Sequence, residues 1–394
     1  MIRPVRRSSE RILTTHVGSL IRPPELLEAL RARQAGGGGA WDDAVRRAVR
    51  DVVRRQVDAG IDIPNDGEYS KTGFTAYVGE RLTGFEMRAP PPGQSAMLNR
   101  GRDRKAFADF YKEYDATEGQ TEGGLSAVCV GPIAYRGEAT LRTDLENLRA
   151  ATAEAGAIEA FVPAAAPGTI ELQRTNAHYP TEEAYLFAIA DAMRTEYRAI
   201  VDAGFVLQVD DPRVVVQYDL IDPAPTIAQY RAFAELRIAA LNRALAGIPQ
   251  DRVRYHLCWG SWHGPHTTDV PLADIVDLVL TVRAGAISIE SANARHAHEW
   301  TVWQDTKLPP DRILIPGVIS HNTNAVEHPD LVAQRIETFA RLVGRENVIA
   351  GADCGFAQGA FYRRVHPTIM WAKLGALAEG ARRATQRLWR GSAA

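Results

Sequence analysis

In Tyr255-His256-Leu257-Cys258-Trp259-Gly260 an imidazole and a thiol stand with one residue between them. The run from Val253 to Cys258 reads as a short strand ending in a Gly/Ser/Trp turn. Alternate residues of a strand share a face, so His256 and Cys258 point the same way. Nitrogen and sulfur donors aimed at one point suit a zinc ion. The pair alone is a weak signal, because a free cysteine also packs as a small hydrophobe. Two more positions strengthen it. Glu290 closes the next strand-like run, Ala286-Ile287-Ser288-Ile289-Glu290, and Cys354 follows the last one, in Gly351-Ala352-Asp353-Cys354-Gly355.

Donors so far apart in the chain meet only if the fold brings strand ends together. Strand-like runs begin near residues 12, 61, 158, 205, 253, 286, 313 and 348, each followed by a helix or helix-like segment. Helical spans are expected at Ala44 to Ala59, Thr181 to Ala203 (capped by Thr181), Pro225 to Ala246, Leu272 to Arg283, Pro329 to Val343 and Pro367 to Glu379. Eight alternating units predict an α/β fold of the (β/α)8 TIM barrel type, one domain spanning residues 1–394. A doubly wound sheet would want a glycine-rich dinucleotide loop after a strand, and the sequence has none. From about Leu82 to Gly137 the rhythm is lost: Ala89-Pro90-Pro91-Pro92-Gly93 is followed by a charged stretch and a hairpin-like strand from Leu125 to Ala134. This reads as an insertion after the second strand, and its Cys129 as a buried strand cysteine.

A barrel places reactive side chains at or just beyond strand C-termini. Glu68 follows the second strand, Asp210 and Asp211 the fourth, His256 and Cys258 the fifth; Glu290 ends the sixth, His321 follows the seventh and Cys354 the eighth. Singly, each has a plain reading as a helix cap, a loop charge or a satisfied core group. In register with the strand count, they converge on one mouth.

Composition excludes some classes. Among 394 residues, 46 basic and 48 acidic side chains leave a net charge of −2, which offers nothing to nucleic acid or an anionic membrane. No apolar stretch approaches the ~18–20 residues that span a bilayer. The basic N-terminus has no apolar run behind it, so no signal peptide is expected. Three widely separated cysteines suit reduced thiols in a cytoplasmic protein. A homo-oligomeric state is left open.

The motifs together resemble those of the cobalamin-independent methionine synthases and their single-barrel relatives, which include the epoxyalkane:coenzyme M transferases. The resemblance runs from Thr14 to about Ala372, apart from the excursion. That family's zinc site is a His-x-Cys at one strand end, a Glu at the next and a Cys in an Asp-Cys-Gly context at the last, which here are His256, Cys258, Glu290 and Cys354. Its amino-acid thiol site resembles Val17-Gly18-Ser19, Asp66-Gly67-Glu68 and Asp210-Asp211-Pro212, with Asp211 standing where the family usually has Glu. Its acid histidine resembles His321, within Ser320-His321-Asn322 and without the family's preceding Asp. The departures bear on the substrate more than on the metal.

What the resemblance implies is a zinc-dependent methyl or alkyl transferase acting on two small molecules, a thiol and an alkyl donor. Zinc ligation deprotonates a thiol at neutral pH. Two thiolates, an imidazole and a carboxylate carry roughly −3 against the dication, so a bound sulfur stays electron-rich. Glu290, the hardest donor, is the ligand expected to exchange for substrate thiol. His321 is the candidate general acid for the leaving group, rivalled by His263, His266, His296 and His298, with a plain loop histidine as the alternative. Glu68 and Asp210 would hold an ammonium, and Arg22 an anionic end. An alternative is a zinc lyase, or a coenzyme M-type transferase, acting on a small thiol or hydroxyl. Zinc hydrolysis is disfavoured by two sulfur ligands, and a closed structural zinc by ligands drawn from three strand ends.

Overall fold

Short apolar runs bounded by glycine, proline or charge come together as a parallel sheet in a computed structural model, which describes residues 5–37, 39–89, 101–117 and 126–390. The strands are β1 (Leu13–Thr14), β2 (Phe85–Arg88), β3 (Ser126–Cys129), β4 (Phe161–Ala165), β5 (Thr175–Asn176), β6 (Val206–Asp210), β7 (Val253–His256), β8 (Ala286–Ile289), β9 (Ile313–Ile319) and β10 (Ile349–Ala352). Seven form one sheet in the order β1-β10-β9-β8-β7-β6-β4, all neighbours parallel. Residues 61–64 lie between its two edges. Ile63 bridges Thr15 in parallel, Asp62 and Ile63 N–H donate to Thr14 O at 3.2 and 3.1 Å, and Phe161 N–H donates to Pro64 O at 3.2 Å. The sheet thus curls into a TIM-like barrel.

Strand periodicity layers the interior. Leu13, Ile63, Phe161, Val206, Ala286, Ile313, Ile315 and Ile349 form a small inner core. On β7 the same face carries Arg254, whose guanidinium lies 3.9 Å from the Phe161 ring centroid and donates to Thr15 Oγ1 at 3.0 Å. Two residues further along β6, β7 and β8, the same face turns polar, with Gln208, His256 and Ser288 all buried. Beyond them stand Asp210, Cys258 and Glu290. These three strands therefore run from the inner core to a polar rim.

The helices pack apolar stripes against the outside of the ring. The Trp41–Asp58 helix buries Trp41, Val45, Ala48, Val49, Val52, Val53 and Gln56, the spacing of one helical face. Thr181 accepts from Ala184 N–H as the N-cap of Glu182–Asp202, as expected. Two helix expectations fail in detail. The Leu272 to Arg283 helix is reduced to a 3-10 turn, Leu272–Asp274, and a four-residue helix, Val276–Val279. The β-branched Ile275, Val276, Val279 and Val282 are poor helix formers, and all four are buried. The closing helix, expected to stop at Glu379, continues to Leu388. Gly380 is not a stop: a Cβ there would lie 2.3 Å from Val332 Cγ1, so the glycine lets the Pro329–Val343 helix approach closely.

Within Leu82 to Gly137, residues 90–100 and 118–125 lie outside the described residues, including most of the Pro/Gly cluster and Leu125. The described part holds β2 and β3, antiparallel, with β5 beside β3, and the helices Arg102–Ala106 and Ala108–Thr117. Cys129 is buried and free. No helix among the described residues is long and apolar enough to cross a membrane.

At the rim, β9 and β10 run unusually close. Gly317 pairs with Gly351, the register slips between Gly351 and Ala352, and a Cβ on Gly317 would come 2.7 Å from the Asp353 N and Cα. Backbone cannot yield as a flexible side chain does. Gly317→Ala should therefore lower the unfolding free energy by about 1–3 kcal/mol in urea titrations; an unchanged midpoint would mean that the two strands have room to part.

Candidate metal centre

His256 ends β7, and Cys258 follows it on the same face; Cys354 lies two residues past β10. These three are buried, and their ligand atoms all lie within 4.8 Å of one another. The thiols are free, with 3.1 Å between the sulfurs, well beyond a covalent ~2.05 Å. The hydrogen bond to Cys354, then burial, holds the Cys258 thiol well above its usual range. His256 Nδ1 meets Ser288 Oγ at 3.1 Å, while its Nε2 is buried without a hydrogen-bond partner. Burial and then the Arg254 charge pull this imidazole down to about 3, so it is neutral, the form that binds metals. A neutral imidazole with one orphaned nitrogen beside two thiols is a donor set that can hold a metal ion.

Glu290 is adjacent but outside that trio. Its Oε1 accepts from Trp259 N–H at 2.9 Å and its Oε2 from Asn293 Nδ2 at 2.6 Å, and the carboxylate is also within hydrogen-bonding reach of Cys258. Burial raises its pKa, with the charge of His296 opposing. Asp353 fastens the turn that follows. Its Oδ1 accepts from Ser291 and Ala292 N–H, and its Oδ2 from Asn293 N–H, all at 2.8 Å. Behind this turn His296 is clamped between Glu299 (2.8 Å) and Asp269 (3.2 Å) and lies against the Trp259 ring at 4.4 Å. Despite burial, those two hydrogen bonds raise His296 to about 10, making it a cation.

The residues expected to bind substrate fall into two groups. Gly18, Glu68 and Asp210 come together. Glu68 sits at φ 59°, a strained conformation for a non-glycine residue, and a Cβ on Gly18 would lie 2.7 Å from Glu68 Oε1. Asp210, hydrogen-bonded by Gln208 at 2.7 Å, is pushed well up by burial and then by the Glu68 charge, and Glu68 is itself raised by burial. Val17 O accepts from Gln208, and Ser19 O from Phe356 N–H at 2.8 Å, which ties the 17–19 turn to the loop after β10. Asp211 faces elsewhere: it accepts from Thr169 Oγ1 at 2.8 Å and Tyr255 OH at 3.0 Å.

His321 is fully buried, and its ring nitrogens make no well-aligned hydrogen bond, though the Ser261 backbone approaches. Burial, then the charges of Arg364 and His263, hold it well below its usual pKa. Arg364 donates to Tyr114 OH at 3.0 Å and to Ser261 Oγ at 3.4 Å, and Trp262 Nε1 donates to Tyr111 OH at 3.0 Å. Sequence reasoning missed Trp259, Asn293, Tyr111, Tyr114 and Arg364. Only the position of Trp259, next to Cys258, could have flagged any of them.

No protein-family model matches the chain. Methionine synthase of Sulfolobus acidocaldarius is 24% identical to it over 347 residues, covering 87% of this chain and 85% of that protein. The enzyme of the same name from Saccharolobus solfataricus is 22% identical over 382 residues, 96% of each chain. In fold the chain is similar to a B12-independent methionine synthase from Shewanella sp. W3-18-1, solved in complex with selenomethionine: the TM-score is 0.71 at 18% identity, over 96% of this chain and 99% of that one. A putative vitamin-B12 independent methionine synthase from Listeria monocytogenes gives a TM-score of 0.65 at 19% identity, over 95% and 98%. The chain is a relative of the cobalamin-independent methionine synthases. The family expected from the strand-end motifs is thus the one that both comparisons return.

For this methionine synthase relative, the paired thiols give a direct check. With metal removed by chelator, mild oxidant should consume two of the three thiols, joining Cys258 to Cys354 and sparing Cys129. Added zinc should protect both. Thiol titration in denaturant and peptide mass mapping would read this, and equal loss of all three thiols would contradict the geometry.

Proposed function

We propose that this chain is a single zinc-dependent barrel that transfers a methyl or other alkyl group from a small donor to the sulfur of a small thiol. The observation that carries the reading is the convergence of His256, Cys258 and Cys354 at the barrel mouth with Glu290 beside them. Two sulfurs and an unpartnered imidazole nitrogen fit zinc better than a hard, oxygen-preferring cation. When bound, zinc would supply Lewis acidity that makes a substrate thiol nucleophilic at neutral pH.

The chain's own residues do the rest. Ser288 orients the His256 ring through Nδ1, leaving Nε2 for the metal. Glu290 would be the fourth, displaceable ligand. Glu68 and Asp210 are two buried, neighbouring carboxylates pushed toward their neutral forms, so an incoming ammonium would be held strongly between them. Val17, Gly18 and Ser19 would close the amino-acid side of that pocket. Asp211 would act indirectly, fixing β6 through Thr169 and Tyr255. His321, neutral in the surroundings described, would take up a proton only once substrate charge offsets Arg364, and would then pass it to the leaving group. Of the insertion read at 82–137 in a single domain of 394 residues, the Ala108–Thr117 helix would cover the mouth through Tyr111 and Tyr114.

X-ray absorption at the zinc edge tests this with a panel of homocysteine, coenzyme M, cysteine and glutathione. An S2(N/O)2 shell that becomes S3(N/O) with one thiol is the expected result. No zinc, or a shell that no thiol changes, would overturn the proposal. If the accepted thiol is an amino acid, Glu68→Gln and Asp210→Asn should each weaken its binding by about tenfold or more, the usual cost of losing a hydrogen bond to a charged group, while leaving zinc content unchanged.

A further inference from the structure

Glu290 has somewhere else to go. Both carboxylate oxygens are satisfied by donors that are not metal ligands: Trp259 N–H at 2.9 Å on one side and Asn293 Nδ2 at 2.6 Å on the other. The orientation of the Asn293 amide is fixed by its surroundings. Its Oδ1 accepts from Arg295 and His296 N–H at 3.0 and 3.1 Å, while its Nδ2 faces only carboxylate oxygens, those of Glu290 and of Asp353 at 3.1 Å. A flipped amide would set oxygen against oxygen and nitrogen against N–H. Both amide hydrogens are therefore committed, one to each carboxylate. Asp353 also accepts Asn293 N–H at 2.8 Å, and it directly precedes Cys354, so the donor is anchored to a ligand strand.

A carboxylate that must alternate between a metal and a vacated state needs a partner in the vacated state, because an unpaired buried charge is costly. We propose that Asn293 is a positioning residue, the amide to which Glu290 withdraws when a substrate thiol takes its place. This deepens the zinc-thiol reading and rests on it. Nothing in it requires Asn293 to touch substrate. With the amide donor gone, Glu290 should stay on the metal, so zinc is held more tightly and the thiol enters with more difficulty.

Two variants separate this from a role in shaping the turn. Asn293→Ser adds no charge, keeps a hydroxyl that can cap the 295–296 N–H groups, and is too short to reach Glu290. Asn293→Asp keeps the Oδ1 acceptor but loses the amide donor. Zinc affinity is read by competition with a chromogenic chelator, and thiol entry by the zinc-edge shell during titration with the thiol that the unaltered protein accepts. Each variant should bind zinc roughly tenfold more tightly and need roughly tenfold more thiol to reach the S3(N/O) shell, the scale of one charge-assisted hydrogen bond. If one variant fails to fold, the other decides. Unchanged constants, or weaker zinc binding in the folded variant, would overturn the inference while leaving alkyl transfer to sulfur intact. An unaltered protein that takes up no zinc, or whose shell ignores every thiol, would bring down the reading and this inference together.

Discussion

The Asp353 carboxylate joins two strand ends of the barrel into one site. It lies just past β10, beside Cys354, yet three of its four hydrogen bonds go to consecutive backbone N–H groups of residues 291–293, just past β8. Such a cradle stabilises the charged carboxylate and fixes the spacing between the Cys354 and Glu290 strands. It also explains the bare backbone at Gly317, since β9 runs between the two and Asp353 reaches across it. The distance between the Cys354 sulfur and the neighbouring Glu290 carboxylate is therefore set by a third residue, Asp353.

The rim of the barrel is dense in buried charge, and its sign varies around the mouth. Glu68 and Asp210 share one side, where Arg254 from the floor and Lys71 partly offset them. On the other side His296 is a cation held by two carboxylates behind Glu290, and Arg364 contacts two hydroxyls close to the thiols. A neutral His256 stands between. Burial raises Glu68, Asp210, Glu290 and Asp353, and nearby cations oppose it; only Asp269, hydrogen-bonded to His266 and His296, is held below its usual value. Carboxylates thus gather on one side of the mouth, and a histidine cation and an arginine on the other.

Much of this could be read in the chain. Short apolar runs alternating with helical segments mark most of the barrel strands to within a few residues, and their C-terminal ends point to His256, Cys258, Glu290 and Cys354. Helix ends were less legible. The closing helix, expected to end at Glu379, runs on through Gly380, whose missing side chain serves contact with Val332, which only the neighbouring helix reveals. Asn293 is hidden for a similar reason: one of the two carboxylates its amide joins, Asp353, is 60 residues away, and no local pattern announces such a shared amide. Asp211 was grouped with Asp210 by a motif, yet strand alternation sends the two side chains to opposite faces.

The ring itself is unevenly stitched. β4 and β6 share a five-residue ladder, whereas residues 61–64 join β1 to β4 through isolated contacts around Thr14, Thr15 and Phe161. Few backbone hydrogen bonds close the ring there, and Leu13, Ile63 and Phe161 of the inner core hold it by packing instead. Glu68 rides on the end of that segment, in a strained backbone. The seam of the ring with the fewest ladder hydrogen bonds and one of its buried carboxylates thus lie on one continuous segment, so the packing that closes the ring also fixes where that carboxylate stands.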